Sequence, residues 1–507
     1  MAKSNRYILT FILLMSVTLY PLFSSRAMAQ SKYVFAFTSP CKQAYQSMIS
    51  LRINEANRLL KEELSSNPNN LIPVLIANYD DCLTLLFNGN PTEYSKRKAN
   101  MDKRISLLEQ GDKNSPWYKF SIGAIYFQWA AVRIRFNEYF NAGTEFRKSF
   151  IQLKDNGKKF PEFKNNQILL GMEEAIVGTI PDSYKWITNM LGMKGNVRKG
   201  TARIVDFLST REGTASLMRE EAIFYYAFLK FSMLSDHKGT WRYLDESTLD
   251  FKNNHLFVFM KANFALNDNK AALAEQVLRN RTQNGEHLDV PIFNYQMGIA
   301  LLQKLDDDCL TYFQKFAAKY KGKLFVKDAY QKMSFYCLSM GNLPQAITCK
   351  DKIKNNGTAQ IDADKQAQRY AEGNVFPNPF LLKARLLCDG GYYTKALEQL
   401  KGIKAGDFPQ ISDKLEFNYR YARIFTLMGT PAKAIPFYEA TIRMGSTRQE
   451  HFAARSALEI GLIYEEMGQN DKAIANYQKC ISMKNHDYKS SLDQKAKAGI
   501  DRLGGNK

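Results

Sequence analysis

The clearest helical unit in the sequence is Ser456–Ile481, SALEIGLIYEEMGQNDKAIANYQKCI. Its marker residues, counted with Ala454 as position 1, are Ala457 at 4, Ile460 at 7, Gly461 at 8, Tyr464 at 11, Gly468 at 15, Ala473 at 20, Tyr477 at 24 and Cys480 at 27. Two antiparallel helices approach closely only where small residues meet, and aromatic rings fill the space around that contact. The pattern therefore predicts a helix–turn–helix unit with a glycine in the turn.

This spacing resembles the tetratricopeptide repeat, which has bulky residues at positions 4, 7, 11 and 24 and small residues at 8, 20 and 27. The same marks recur upstream, at Gly429, Ala434 and Tyr438, at Gly391, Ala396 and Leu400, and at Gly341 and Ala346. The turn glycines are separated by more than the 34 residues of the consensus. An insertion around residues 355–379 accounts for the widest gap.

Helical periodicity dominates the rest of the chain, and strand-like alternation is scarce. We therefore predict an all-α, tetratricopeptide-like α-solenoid of about 8–10 antiparallel helix pairs. The expected organisation is a signal peptide at 1–29, repeat-like helices at 30–160, a divergent helical segment at 161–250 and a C-terminal repeat array at 251–507. Apolar residues make up 45% of the chain, which excludes a disordered protein.

The N-terminus has the pattern of an export signal. Lys3 and Arg6 precede an apolar run over residues 7–23, and Ala27-Met28-Ala29 supplies the small residues that signal peptidase accepts. We predict cleavage after Ala29 and a periplasmic or outer-membrane-associated protein of a Gram-negative envelope. The alternative is an uncleaved membrane anchor, for which the run is slightly short.

The net charge of +20 first suggests nucleic acid. An exported protein rarely meets nucleic acid, so an anionic envelope surface is the better explanation. A groove on the inner helices of the repeat array provides a second basic surface, with Lys332, Arg385, Tyr419, Arg420 and Arg423 as its candidate residues. Its expected ligand is a protein partner with an acidic or extended segment, a C-terminal carboxylate or an anionic glycan. The alternative is a solvated basic face. The oligomeric state stays open.

The middle of the chain has a second resemblance. Residues 178–186, GTIPDSYKW, and 191–196, LGMKGN, resemble the tetratricopeptide repeat domain 39 / inclusion-clearance family, with Met193 in place of the usual Phe. That resemblance implies a non-enzymatic adaptor. The nearby Lys194, Arg198 and Lys199 form a candidate anion-binding loop, although the glycines around them lack the Gly-Lys-Ser/Thr ending of a phosphate loop. A tight interhelical turn is the simpler interpretation.

No catalytic, metal or cofactor signature emerges from the sequence. The five histidines include no pair at i, i+4, and there is no Gly-x-Ser-x-Gly elbow. Seven widely spaced cysteines argue against a disulfide framework. Cys337 and Cys349 face each other across one predicted helix pair and are the candidate disulfide.

The predicted function is a non-enzymatic exported scaffold that mediates protein–protein interactions in the cell envelope. One alternative is an outer-membrane-associated glycan-binding protein of the starch-utilisation type, which the 13% aromatic content favours. That class is normally lipid-anchored, and Cys41 lacks the context for such an anchor. The other alternative is an enzyme built on a helical scaffold.

Overall fold

The computed structural model describes residues 32–180, 192 and 194–504. The predicted cleavage site after Ala29 lies outside them, as does most of the segment that resembles the inclusion-clearance family. The described chain divides into two units. Unit 1 contains the described residues up to Met48, Ile53–Cys82 and Arg97–Ala222, and unit 2 contains Ile49–Arg52, Leu83–Lys96 and the residues from Ile223 onward. The predicted all-α class is confirmed.

Helices follow one another closely in the first half of the chain. In order they are α1 Ser39–Ile49, α2 Ile53–Ser66, α3 Ile72–Asn88, α4 Pro91–Arg97, α5 Asn100–Leu108, α6 Pro116–Arg135, α7 Tyr139–Lys159, α8 Asn166–Gly178, α9 Val197–Ser209, α10 Arg211–Ala215 and α11 Arg219–Phe228.

Two helix pairs dominate unit 1. Helices α6 and α7 pack as an antiparallel hairpin, in which a Cβ on Gly123 would lie 2.9 Å from the Leu153 side chain. Helices α8 and α9 approach even more closely, because a Cβ on Gly200 would overlap the carbonyl oxygen of Gly171. Small residues thus set the helix separation here, as the repeat pattern requires.

The second half continues as helix pairs. Its helices are α12 His237–Asp245, α13 His255–Asn267, α14 Ala271–Asn280, α15 Ile292–Lys304, α16 Asp308–Lys319, α17 Val326–Ser339, α18 Leu343–Asn355, α19 Asp362–Glu372, α20 Pro379–Asp389, α21 Tyr393–Leu400, α22 Ile411–Leu427, α23 Pro431–Gly445, α24 Phe452–Glu466, α25 Asn470–Ser482 and α26 Lys489–Arg502.

The pair α24–α25 shows why Ser456–Ile481 folds as two closely packed helices. A Cβ on Gly461 would lie 2.5 Å from the Tyr477 ring, so the ring occupies the space that the glycine leaves. Gly468 turns the chain between the helices with φ +71°, a left-handed conformation that glycine adopts without strain. The turn glycines of the three upstream pairs also have positive φ.

The predicted insertion before Pro379 contains a helix of its own. Helix α19 packs against α17 and α18, and buries Ala367 and Ala371 next to Ile353. It widens the interval between two repeat turns without interrupting the stack, since α17 still contacts α20 directly.

The first helices of successive pairs form one layer of unit 2. Helix α17 packs on α20, α20 on α22 and α22 on α24, and the final helix α26 also packs on α24. The predicted groove residues lie on three of these helices. We call this surface the inner face of α17, α20, α22, α24 and α26.

Candidate partner-binding groove

The structure brings Lys332 and Arg385 to the same aromatic ring. The Arg385 guanidinium carbon is 5.0 Å from the centre of the Phe335 ring, and the Lys332 ammonium is 5.7 Å from it. Lys332 also forms an ion pair of 3.5 Å with Asp328, one turn earlier on α17. Its charge is therefore compensated within the helix, whereas the charge of Arg385 is not.

Arg420 is held by a carboxylate on its own helix. Its Nε and Nη2 atoms donate to Oε1 of Glu416 at 3.0 and 2.8 Å. Burial alone would raise the pKa of Glu416, but Arg420 and Arg385 outweigh burial and lower the pKa. One carboxylate thus serves two guanidinium groups, and its hydrogen bonds go to Arg420.

Arg423 shares a second carboxylate with the next helix. Glu459 on α24 is 4% exposed and accepts from Arg455 at 2.7 Å and from Arg423 at 3.4 Å. The ring of Tyr419 lies beside them, packed on Tyr438 and Phe452 with ring centres 6.0 and 5.4 Å apart. The predicted basic stripe is therefore a network of ion pairs fixed on packed aromatic rings.

Two cations next to these ion pairs, Arg385 and Lys495, lack a carboxylate of their own. Arg385 forms no hydrogen bond or ion pair with any residue in the described part of the chain. Burial, followed by the nearby Arg455, lowers the pKa of the Lys495 ammonium on α26. Lys495 likewise forms no ion pair within the described ranges.

Cations are in excess at this site. We define the inner groove as five cations, the carboxylates that chiefly oppose them, and one tyrosine; its members are Arg385, Arg420, Arg423, Arg455, Lys495, Asp389, Glu416, Glu459 and Tyr419. Five cations face three carboxylates, so the groove keeps a positive surplus. Nearby His451 adds no charge at neutral pH, because burial and Arg420 lower its pKa to about 4.

Residues 454–487 match the model of the tetratricopeptide repeat family, and they cover most of α24, the turn after it and all of α25. The chain carries a tetratricopeptide repeat. No curated protein matches the chain. The matched repeat supplies Arg455 and Glu459 of the inner groove. A tetratricopeptide repeat within a helical repeat fold indicates a protein-interaction scaffold.

Sequence reasoning found three of the five groove cations and missed Arg455 and Lys495. Arg455 stands at position 2 of the matched repeat, a position that lines the inner face, and its i, i+4 spacing to Glu459 was readable. The i, i+4 spacing of Glu416 and Arg420 likewise predicts an ion pair within one helix. Lys495 had no signal, because α26 follows the last recognisable repeat.

The candidate anion loop is a tight turn in unit 1. Asn196 caps α9 by accepting from the backbone N–H of Lys199 at 3.0 Å, and its own N–H donates to the carbonyl of Glu174. Lys194, Arg198 and Lys199 are exposed around this turn. The capped N–H is unavailable to an anion, so anion binding here stays a prediction that rests on the three side chains.

The candidate disulfide pair lies together in the core of unit 2. Cys337 and Cys349 are both buried, and no covalent bond joins their sulfur atoms in the structure. The Cys337 thiol hydrogen-bonds the Cys349 sulfur, and this contact raises the pKa of Cys337 and lowers that of Cys349. The juxtaposition fits the predicted positions on α17 and α18, and a covalent bond between them stays a prediction.

Two kinds of feature are missing from the described residues. Among them, no three His, Cys, Asp or Glu side chains are placed to hold a metal ion. Within the same ranges, no helix combines the length and the apolar character needed to cross a bilayer.

Proposed function

We propose that the chain is an exported scaffold of the cell envelope whose inner groove holds an acidic segment of a partner protein. The observation that carries this proposal is the guanidinium of Arg385. It lies over the Phe335 ring, and the carboxylate that it faces, Glu416, is already hydrogen-bonded to Arg420. An arginine in this state gains most from a carboxylate supplied by a ligand.

The arrangement favours an extended chain with more than one acidic group. Arg385 lies on α20 and Lys495 on α26, with the ion pairs of α22 and α24 between them. A ligand that reaches both surplus cations must follow the inner face across several helices. Acidic peptides have the required length and charge, and repeat arrays offer such extended surfaces.

Export and the envelope location are supported by the sequence alone. The basic residues Lys3 and Arg6, the apolar run over 7–23 and the small residues before position 30 form a signal-peptide pattern. The resemblance of the middle segment to the inclusion-clearance family also fits a non-enzymatic adaptor. N-terminal sequencing of the protein recovered from cells would locate the mature end, which we place after Ala29.

A peptide titration tests the groove. The probe is a fluorescein-labelled peptide of alternating Glu and Gly, and a Gln–Gly peptide of equal length is its neutral control. We expect Arg385→Gln and Lys495→Gln each to weaken binding of the acidic peptide by about tenfold, the effect of one lost charge-assisted contact. Fluorescence anisotropy measures both affinities.

Arg443→Gln is the matched control. Its side chain is 71% exposed on α23, outside the inner face, and its ion pair with Glu439 is a long 3.9 Å. This variant removes the same charge and should bind as the unmodified chain does. Equal affinities for all three variants, or equal binding of the neutral peptide, would contradict the groove.

Glycan binding has less support from the geometry of the inner groove. A stacking site needs an exposed ring face, whereas Tyr419 is 6% exposed and its ring packs on Tyr438 and Phe452. Tyr392 and Tyr393 are half-buried at the start of α21. A glycan array on the purified chain distinguishes this alternative from the peptide groove.

A further inference from the structure

A buried carboxylate fixes the start of the inserted helix α19 to α17. Asp364 is fully buried, and its two oxygens accept hydrogen bonds from the backbone N–H groups of Phe325 at 2.7 Å and Asp328 at 3.1 Å. A helix has no partner of its own for the N–H groups of its first turn. Asp364 supplies that partner to α17 from a neighbouring helix, so the two helices are joined at this point.

A buried ammonium group holds the other end of α19. Lys350 on α18 is 8% exposed, and its Nζ atom donates to the carbonyl oxygen of Gly373 at 2.5 Å. The same ammonium lies 5.1 Å from the ring centre of Tyr370 and 4.6 Å from that of Phe376. Carbonyl groups at the end of a helix attract a cation. Helix α19 is therefore held at both ends.

The middle of α19 contacts α17 through Tyr370. Ser334 donates its own proton to the carbonyl oxygen of Ala346, so the Tyr370 hydroxyl donates to Ser334 Oγ, at 2.8 Å. The Tyr370 ring meets the Phe335 ring edge to face, with ring centres 5.1 Å apart and an angle of 71°. Tyr370 thus holds the Phe335 ring from the side of α19.

The Phe335 ring in turn supports the Arg385 side chain. Its centre lies 5.0 Å from the guanidinium carbon of Arg385, which forms no hydrogen bond or ion pair with a residue that the structure describes. Packing, and not a carboxylate, therefore orients this guanidinium. A mobile arginine loses rotamer freedom when it binds a ligand, whereas a supported arginine has lost part of that freedom beforehand.

We propose that Tyr370 is a positioning residue of the inner groove, which holds Arg385 in place for a ligand carboxylate by supporting the Phe335 ring. This inference rests on the proposed function of the groove and extends it to α19, a helix that the repeat itself does not require. The inserted helix is then part of the binding apparatus, because it prepares the one arginine that lacks a carboxylate of its own.

A peptide titration of Tyr370 variants tests the proposal. The probe is the fluorescein-labelled Glu–Gly peptide, and the protein is the full chain in the form that cells accumulate. Tyr370→Met keeps an apolar side chain in place but removes the ring that meets Phe335. We expect it to weaken binding by about three- to tenfold, the effect of restoring the freedom of one long side chain. Tyr370→Phe keeps the ring and should retain most of the affinity.

Tyr330→Met is the matched control. Tyr330 packs against the same small cluster around Ile353 as Tyr370 does. In the described part of the chain, no ring contact joins Tyr330 to Phe335. The control should therefore bind the peptide as the unmodified chain does. Equal losses in the two methionine variants would indicate a general loosening of the helices and would overturn the proposal.

A double variant separates positioning from a general loss of structure. Once Arg385→Gln has removed the guanidinium, Tyr370→Met has nothing left to position, so adding it should cause no further loss of affinity. A further loss of the same size would overturn the proposal. Phe335→Met removes the supporting ring itself and gives the answer if Tyr370→Met does not fold. It should weaken binding to the same extent, and an unchanged affinity would also overturn the proposal.

The outcomes distinguish this inference from the proposed function. If Arg385→Gln weakens peptide binding and Tyr370→Met does not, the positioning role fails and the groove stands. If the unmodified chain does not bind the peptide, or Arg385→Gln has no effect, the proposed function fails and this inference fails with it.

Discussion

Among the carboxylates of the described residues, Glu173 has the setting that differs most from that of an ordinary carboxylate. It is fully buried on α8, and neither carboxylate oxygen has a hydrogen-bond partner within the described ranges. Burial raises its pKa from 4.5 to about 8, with Ser149 as the neighbour that partly offsets the effect. The side chain is therefore neutral at pH 7, which avoids an unpaired charge inside unit 1.

This setting predicts how stability depends on pH. Between pH 4.5 and about 8 the folded chain keeps the Glu173 proton, which the unfolded chain releases, so the free energy of unfolding falls as the pH rises. Glu173→Gln removes that contribution. We expect the variant to gain on the order of a few kcal/mol over the unmodified chain at pH 8 and little at pH 4.5, since one pKa unit corresponds to about 1.4 kcal/mol. Urea unfolding across this range measures the difference.

Glu162→Gln is the matched control, because its side chain is 91% exposed. Its pH profile should run parallel to that of the unmodified chain. A parallel profile for Glu173→Gln as well would show that the buried carboxyl does not titrate as the structure requires.

At the level of the helices, small residues set the distance between the two members of a pair. The Tyr477 ring lies between Gly461 on α24 and Gly499 on α26, so it has no free side to move toward. Gly461→Ala should therefore lower the free energy of unfolding by about 1–3 kcal/mol, the usual result of overpacking a core. Denaturant unfolding measures this change.

Gly143→Ala provides the comparison. It lies inside α7 and a Cβ there meets no atom within 4 Å, so the substitution should be neutral or should stabilise the helix by up to ~1 kcal/mol. If the two alanine variants behave alike, the close contact between α24 and Tyr477 does not set the separation of the pair.

The C-terminal pairs were predictable because each marker residue has one physical task. Gly468 turns the chain, Gly461 lets α25 approach α24 closely, and Tyr477 fills the space at that contact. The spacing of these residues therefore identifies the helix pair. Helix α19 was not foreseen as a helix. Its apolar residues Ala367 and Ala371 are small, and they mark a buried face only once α17 and α18 are in place.

At the scale of the whole molecule, the sequence yields the fold class more readily than the site. The sequence indicated the positive charge of the inner groove through Arg385, Arg420 and Arg423. It did not indicate which carboxylates neutralise these cations. Glu459 neutralises Arg423 from another helix, and that pairing depends on how neighbouring repeats stack. Arg385 became the central residue because the structure shows which cation is left without a carboxylate.

We propose that an acidic segment binds along the inner face of unit 2. The most direct measurement uses the Glu–Gly peptide with a photoreactive group, irradiated in complex with the protein and followed by mass spectrometry of the cross-linked fragments. We expect cross-links to α20, α22, α24 and α26, which the neutral peptide does not form. Cross-links confined to α21, α23 and α25 or to unit 1 would contradict it.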